Sequence, residues 1–217
     1  MTDIAIGGAK RARRGYSFDE VAIVPSRRTR DPQAVSTTWT IDAYRFDTPI
    51  LAAPMDSVVS PRTAVTLAGL GVLAVLNLEG LWGRYEDPEP LLQEISRLDP
   101  AAVTPRMQEL YSAKPVDADL VVARIAELKA AGVTVAVATS PQGAARLAPL
   151  ASSTGADIVV IRGTTVSAEH VSSTEEPLNL KQFIHELDVP VIVGGCSTHQ
   201  ATMTGTSSSW MNCLRFN

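Results

Sequence analysis

The sequence predicts an α/β protein with a parallel sheet, and three observations carry that expectation. Compact apolar runs with little alternation recur at residues 49–56, 71–77, 133–139, 157–162 and 189–195, as suits strands covered on both faces. Amphipathic helical segments separate most of these runs. The 217 residues are 45% apolar and 19% charged, enough for a core without disulfide help.

The elements follow in order. Residues 18–25 read as a short strand or extended arm, and residues 36–41 as strand-like. The run at 49–56 ends in polar Asp56 and Ser57. Ser60 before Pro61 is an N-cap followed by proline at the first helical position, predicting a helix over 61–68 that Gly69 or Gly71 ends. With the strand at 71–77 this makes a βαβ unit, whose crossover is expected to be right-handed. Residues 80–116 contain Pro88, Pro90, Pro100, Pro105 and Pro115, with helical patches at 91–98 and 101–112. They form an excursion without a strand. Asp117 then caps a helix over 117–131, with Leu120, Val121, Ile125 and Leu128 on one face and Gly132 as its stop. A strand at 133–139, a helix at 142–151 and a strand at 157–162 come next. A polar loop at 164–176 leads to a helix at 178–187 that turns Leu180, Phe183, Ile184 and Leu187 inward, and then to the strand at 189–195. Beyond it the chain becomes polar and Ser/Thr-rich, and the rhythm stops.

Composition removes several classes. Lys and Arg number 19 against 23 Asp and Glu, a net charge of −4, which argues against a general nucleic-acid binder. Two cysteines, Cys196 and Cys213, exclude a disulfide scaffold or a four-cysteine zinc site. His170 and His185 have no partners at metal-ligand spacing, so no metal is expected. The basic cluster Lys10, Arg11, Arg13 and Arg14 reads as a solvated arm. No apolar stretch follows it, and no run is long enough to span a bilayer. A cytoplasmic protein without membrane contact is expected.

Five strands in βα order suit either an open doubly wound sheet or the first five units of an eight-stranded (β/α) barrel, which takes about 250 residues. Both place functional groups at the C-terminal strand ends: Met55, Asp56 and Ser57; Asn77; Thr139 and Ser140; Arg162, Gly163 and Thr164; Gly195 and Cys196. Met55 could floor a flat ring whose edge Asp56 and Ser57 would bond, or it could fill core while Asp56 caps a turn. Gly194 and Gly195 allow close backbone approach to a ligand, or a tight strand exit. Cys196 stands where a nucleophile could sit, or is an inert buried thiol. There is no G-x-G-x-x-G after the first strand and no Walker loop, which counts against a Rossmann dehydrogenase or a P-loop enzyme.

Several of these strings carry a resemblance. Residues 16–25, Tyr-Ser-Phe-Asp-Glu-Val-Ala-Ile-Val-Pro, resemble the opening arm of the IMP dehydrogenase/GMP reductase family, a "TFDDVLLVP"-like string. Residues 48–58, Thr-Pro-Ile-Leu-Ala-Ala-Pro-Met-Asp-Ser-Val, resemble its first barrel strand, "P-x-x-x-A-x-M-D-T-V". Residues 71–77, 156–161 and 189–195 are similar to its second, fourth and fifth strands. The resemblance implies a (β/α)8 TIM barrel, here about the first five units, of the branch without the inserted regulatory domain. It implies a domain plan of arm and short strands at 1–47, partial barrel at 48–196 with the excursion at 80–116, and a polar tail at 197–217.

The family's chemistry is implied in the same way. IMP dehydrogenase oxidises inosine monophosphate to xanthosine monophosphate with NAD through a cysteine adduct at purine C2, and GMP reductase uses NADPH. A purine nucleoside monophosphate would meet Met55, Asp56, Ser57, Gly194, Gly195 and Cys196. NAD or NADP would meet Arg162, Gly163 and Thr164. A homo-oligomer is implied for the full-length family. Three departures stand out. The family's aspartate that helps hold the cofactor ribose after the fourth strand is replaced by Arg162-Gly163-Thr164. Its Gly-Gly-Asn after the fifth strand is Gly194-Gly195-Cys196. Its "G-S-x-C-x-T" catalytic loop after the sixth strand has no counterpart, so no catalytic residue is assigned, and Cys196 lies one strand too early to replace it. The expectation is a C-terminally truncated, inactive chain whose residues beyond about 197 come from a shifted reading frame. Two alternatives remain: a flavin-dependent barrel of the nitronate monooxygenase type, and a non-catalytic barrel fragment.

Overall fold

The computed structural model describes residues 3–6, 10–13, 22, 24, 30–166 and 180–196. The chain forms two units, residues 1–36 and 37–217. In the first, β1 (Asp3–Ile6) and β2 (Lys10–Arg13) pair antiparallel, with Asp3 opposite Arg13 and Ile6 opposite Lys10. Most of the basic cluster, expected in an arm, is therefore strand. A short 3-10 turn follows at Pro32–Ala34. The arm expected at 18–25 lies largely outside the described residues.

The second unit opens with a hairpin, β3 (Trp39–Ile41) and β4 (Tyr44–Phe46). Asp42 turns it with φ of 51°, a left-handed conformation that Asp tolerates better than most residues. The Trp39 and Phe46 rings stack at 4.7 Å. Then come β5 (Leu51–Ala52), α1 (Pro61–Ala68), β6 (Leu73–Asn77), α2 (Glu89–Ser96), α3 (Pro100–Ala113), α4 (Ala118–Ala130), β7 (Ala136–Thr139), α5 (Pro141–Ser153), β8 (Ile158–Val166), α6 (Leu180–His185) and β9 (Val191–Cys196). The expected caps are present: Ser60 and Thr63 form a reciprocal capping box on α1, and the Asp117 side chain accepts from the Asp119 amide at 2.8 Å on α4. Ser140, read only as a strand-end candidate, also caps α5, its hydroxyl accepting from the Gly143 amide at 3.0 Å.

The five-stranded sheet runs β5-β6-β7-β8-β9, all parallel and in chain order. No strand reverses direction along the sheet, and its two faces are covered differently. One face carries Ala74, Leu76, Val137, Val159, Ile161, Val191 and Val193 against Ala64 of α1, Ile125 of α4, Leu147 of α5 and Phe183 of α6. The other carries Leu73, Val75, Ala136, Ala138, Ile158, Val160 and Ile192 against hairpin residues Ile41 and Phe46, and among the described residues no helix contributes to it. A doubly wound sheet has helices on both faces. Helices on one face only make a barrel wall, with the hairpin filling the inside.

Curvature is visible in one bond. An Arg162 Nη1 on β8 donates to the Pro54 carbonyl, just past β5, at 3.2 Å. Two strands separate β5 from β8, so in a flat sheet they would lie about 14 Å apart, beyond what an arginine side chain spans. The sheet curls to bring them together, as half of a (β/α)8 barrel.

Several boundaries differ from the sequence expectation. The first sheet strand is Leu51–Ala52 and not 49–56. Pro49 and Pro54 lack amide donors, and the Met55 amide turns back to the Ala53 carbonyl at 2.7 Å. The β3–β4 hairpin replaces the single strand expected at 36–41. β7 begins at Ala136 and not 133, because the Val135 amide is taken by the Asp157 side chain at 2.8 Å. β8 continues to Val166, into the expected loop, with an irregular register past Arg162. Cys196 is the last residue of β9. The remainder of the loop and the tail from 197 lie outside the described residues.

Candidate functional site

Strand alternation sorts the groups at the C-terminal ends. Leu73 and Val75 face inward on β6, Ile158 and Val160 on β8, and Ile192 on β9. Two residues further on, the same phase brings Asn77, Arg162 and Gly194 to the inner rim. The Asn77 Oδ1 accepts from the Glu79 amide at 3.1 Å, which turns the chain out of β6. Arg162 is exposed and pairs in register with Gly194. A Cβ built on Gly194 would meet no described atom within 4 Å beyond its chain neighbours. Met55, next to the Pro54 that Arg162 contacts, is 48% exposed, and Ser57 is exposed. Met55 therefore does not fill core.

Asp56 is 8% exposed. Its Oδ2 accepts from the Leu81 amide at 2.8 Å and from the Tyr111 hydroxyl at 2.7 Å. Its Oδ1 is buried without a partner among the described residues. The carboxylate thus ties the excursion to the end of β5. Gly80 is required there, since a Cβ would stand 1.9 Å from the Asp56 Oδ1. Burial pushes the Asp56 carboxyl above its ordinary value, against the pull of the Leu81 amide, the Tyr111 hydroxyl and the Arg84 charge. Burial also raises Tyr111, with Asp56 adding to the effect, while Arg84 and Arg162 oppose it.

Arg84 fastens the other side of the excursion. Its Nε donates to the Glu79 carbonyl at 2.9 Å, and an Nη1 donates to the carbonyls of Tyr111, at 2.9 Å, and Lys114. Its guanidinium also lies 5.3 Å from the centre of the Tyr111 ring. The Glu79 carboxylate reaches the end of β7, accepting from Thr139 Oγ1 at 3.1 Å, from Ser140 Oγ at 3.0 Å and from the Ser140 amide. Thr139 and Ser140, candidates from the strand pattern, are thus held by Glu79 and brace the loop after β6.

The structure brings Met55, Arg162 and Gly194 to one mouth. It turns Asp56 into the protein and leaves Gly163 half-buried. The backbones of Thr164, Gly195 and Cys196 lie in β8 and β9, while their side chains are outside the described set. Sequence reasoning missed Tyr111, Arg84 and Glu79. Tyr111 is 55 residues from Asp56 and sits in a helix read only as excursion, so no local pattern marks it. Gly80, directly after Glu79, was the one available signal of a close approach.

A parallel α/β sheet with helices on one described face and a hairpin on the other defines a (β/α)-barrel protein, with its candidate site at the C-terminal strand ends. The chain belongs to the IMP dehydrogenase/GMP reductase family, whose domain model matches residues 15–207. It is 47% identical over 205 residues to an uncharacterized oxidoreductase of Mycolicibacterium smegmatis, covering 92% of this chain and 54% of that protein. It is 48% identical over 207 residues to an uncharacterized oxidoreductase of Mycobacterium tuberculosis, with the same coverage. The crystal structure of an IMP dehydrogenase/GMP reductase-like protein from Corynebacterium glutamicum superposes with a TM-score of 0.79 at 43% identity, over 93% of this chain and 54% of that one. The chain thus spans about half the length of the curated relatives it matches. Among the described residues no helix is long and apolar enough to cross a membrane.

The nicotinamide cofactor implied by the family can be tested against β8. A carboxylate there would accept both hydroxyls of a ribose, whereas Arg162 offers only donors. Asp56 and Glu79, the carboxylates at neighbouring strand ends, are engaged with protein groups. The residues at this strand end do not fit a carboxylate ribose clamp.

Proposed function

We propose that this chain supplies the purine-nucleotide side of an oxidoreductase site of the IMP dehydrogenase type, taking inosine or guanosine monophosphate at the C-terminal mouth. The observation that carries the reading is the convergence of exposed Met55, Arg162 and Gly194 in a chain of this family. Met55 offers a polarisable apolar surface for a flat base. Gly194, without a Cβ, allows the ligand close approach to the strand backbone. Asp56 holds Met55 in place from behind without touching the ligand. The family reaction, inosine monophosphate to xanthosine monophosphate with NAD, is the activity proposed for the whole protein. The 217-residue segment alone has no counterpart of the cysteine loop and is expected to bind without turnover.

Calorimetric titration of the purified chain with inosine and guanosine monophosphates tests this. Saturable one-to-one binding of either nucleotide, with no NADH formed from inosine monophosphate and NAD, is the expected result. Absence of binding by both nucleotides at millimolar concentration overturns the reading.

A further inference from the structure

Met55 stands on a tight turn. Its carbonyl accepts from the amides of Val58 and Val59, each at 2.9 Å, and its own amide donates to the Ala53 carbonyl at 2.7 Å. Among the described residues this turn is anchored on both sides. On one side the Thr63 hydroxyl of α1 donates to the Val58 carbonyl at 2.9 Å, and Val59 is buried in the core. On the other side Asp56 reaches the excursion, accepting from the Leu81 amide and the Tyr111 hydroxyl. Both bonds fall on one oxygen, and the second oxygen is buried without a partner among the described residues. The two donors on Oδ2 are thus what offsets the burial of the carboxyl group there. Tyr111 is itself held: its carbonyl accepts from Arg84, and its ring lies against the Arg84 guanidinium. A continuous path of contacts runs from Arg84 through Tyr111 and Asp56 to the turn that carries Met55.

We infer that Tyr111 is a positioning residue of the purine site: its hydroxyl, delivered by the last turn of α3, holds the Asp56 side chain inside the protein and so keeps Met55 in place at the end of β5. Tyr111 acts through Asp56 and Met55. Without its hydroxyl, the Asp56 carboxyl keeps one described donor for two buried oxygens. Turning outward to water then becomes the favourable alternative for the carboxyl group, and Met55, the preceding residue, moves with it. A residue of the excursion thereby sets the geometry of a strand end 55 residues away. The inference deepens the purine-nucleotide reading and rests on it for what Met55 does, while the tether itself stands on Asp56 and Tyr111.

The test compares the 217-residue chain with Tyr111→Phe, Tyr85→Phe, Met55→Ala and the double variant Tyr111→Phe with Met55→Ala. Phenylalanine keeps the ring against Arg84 and removes only the hydroxyl, and circular dichroism confirms that each variant is folded like the parent. Tyr85→Phe is the control: the Tyr85 hydroxyl also binds the end of α3, at the Leu110 carbonyl, and is not bonded to Asp56. Two quantities are read. One is affinity for inosine monophosphate by calorimetry. The other is the Met55 methyl signal in the nucleotide-free protein carrying isotope-labelled methionine methyl groups, identified by its loss in Met55→Ala. The expected result is about three- to tenfold weaker binding and a shifted Met55 signal in Tyr111→Phe, neither change in Tyr85→Phe, and no further loss when Tyr111→Phe is added to Met55→Ala. Parent-like affinity or an unmoved Met55 signal in Tyr111→Phe overturns the inference. So do losses that add fully in the double variant, or a Tyr85→Phe protein that behaves like Tyr111→Phe. Nucleotide binding by the parent leaves the purine reading standing in each of these cases. No nucleotide binding by the parent, with the Met55 signal moved in Tyr111→Phe alone, upholds the tether and overturns that reading. No binding and an unmoved signal overturn both.

Discussion

At the N-terminal end of the sheet, Asp157 opens β8 and is fully engaged. Its Oδ1 accepts from the Tyr44 hydroxyl at 3.1 Å and from Lys129 Nζ at 2.9 Å, and its Oδ2 accepts from the Val135 amide at 2.8 Å. The hairpin ring stack and Ile41 close the interior just inside it. At the C-terminal end, Asp56 keeps one buried oxygen without a described partner, Met55 is half-exposed, and Arg162 crosses the mouth on a single bond. The same parallel strands build both ends. One end satisfies its polar groups within the protein and serves stability. Among the described residues the other leaves donors and apolar surface uncommitted, as a binding site requires.

The largest stability loss is expected at the closed end. Asp157→Ala leaves the Val135 amide and the Tyr44 hydroxyl without their acceptor, and urea denaturation is expected to show a loss of about 2–4 kcal/mol. Nucleotide affinity measured on the protein that remains folded should be unchanged. A loss below about 0.5 kcal/mol would show that the closed end is not a stability device. Next comes Gly80→Ala, whose Cβ would strike the Asp56 carboxylate and its carbon. Overpacking at that junction is expected to cost about 1–3 kcal/mol, read from the same denaturation midpoint.

A smaller effect concerns pH. Burial raises Asp56 above its ordinary 3.8, so the folded chain keeps this proton to higher pH than the unfolded chain does. Between the ordinary and the raised value the folded state binds more protons. This contribution to stability is therefore full below the ordinary value and is lost as pH rises through the raised one. Asp56→Asn should remove that slope from a pH series of thermal melts, and an unchanged slope would assign it to another group. The smallest stability effect is expected from Met55→Ala, within about 0.5 kcal/mol because the side chain is half-exposed, while affinity for the nucleotide falls. Equal affinity in parent and variant would remove Met55 from the site.

The legibility of the two ends in the sequence differs as sharply as their chemistry. The parallel strands, the helices at Pro61–Ala68, Ala118–Ala130 and Pro141–Ser153 and the caps Ser60 and Asp117 follow from local periodicity and end signals, which depend on neighbours in sequence. Met55 and Arg162 are legible because they stand at the C-terminal ends of apolar runs, and Gly194 because a Gly-Gly pair closes the last of them. The hairpin at Trp39–Phe46 is not legible, since its strands have three residues each and too little pattern to read. Partners such as Asp56 with Tyr111, Tyr44 with Asp157 and Arg84 with Lys114 are set by tertiary closure, and no spacing rule relates them. The choice of barrel over open sheet had the same origin: periodicity marks a strand as buried but does not say whether a helix or a hairpin covers its second face.

The central claim is that ligand binding is confined to the C-terminal mouth, and hydrogen–deuterium exchange with and without inosine monophosphate tests it most directly. The account predicts added protection at residues 55–58, 162–164 and 192–195, and none in the hairpin at residues 39–46. Protection centred on the hairpin, or none at the mouth under saturating nucleotide, would contradict it.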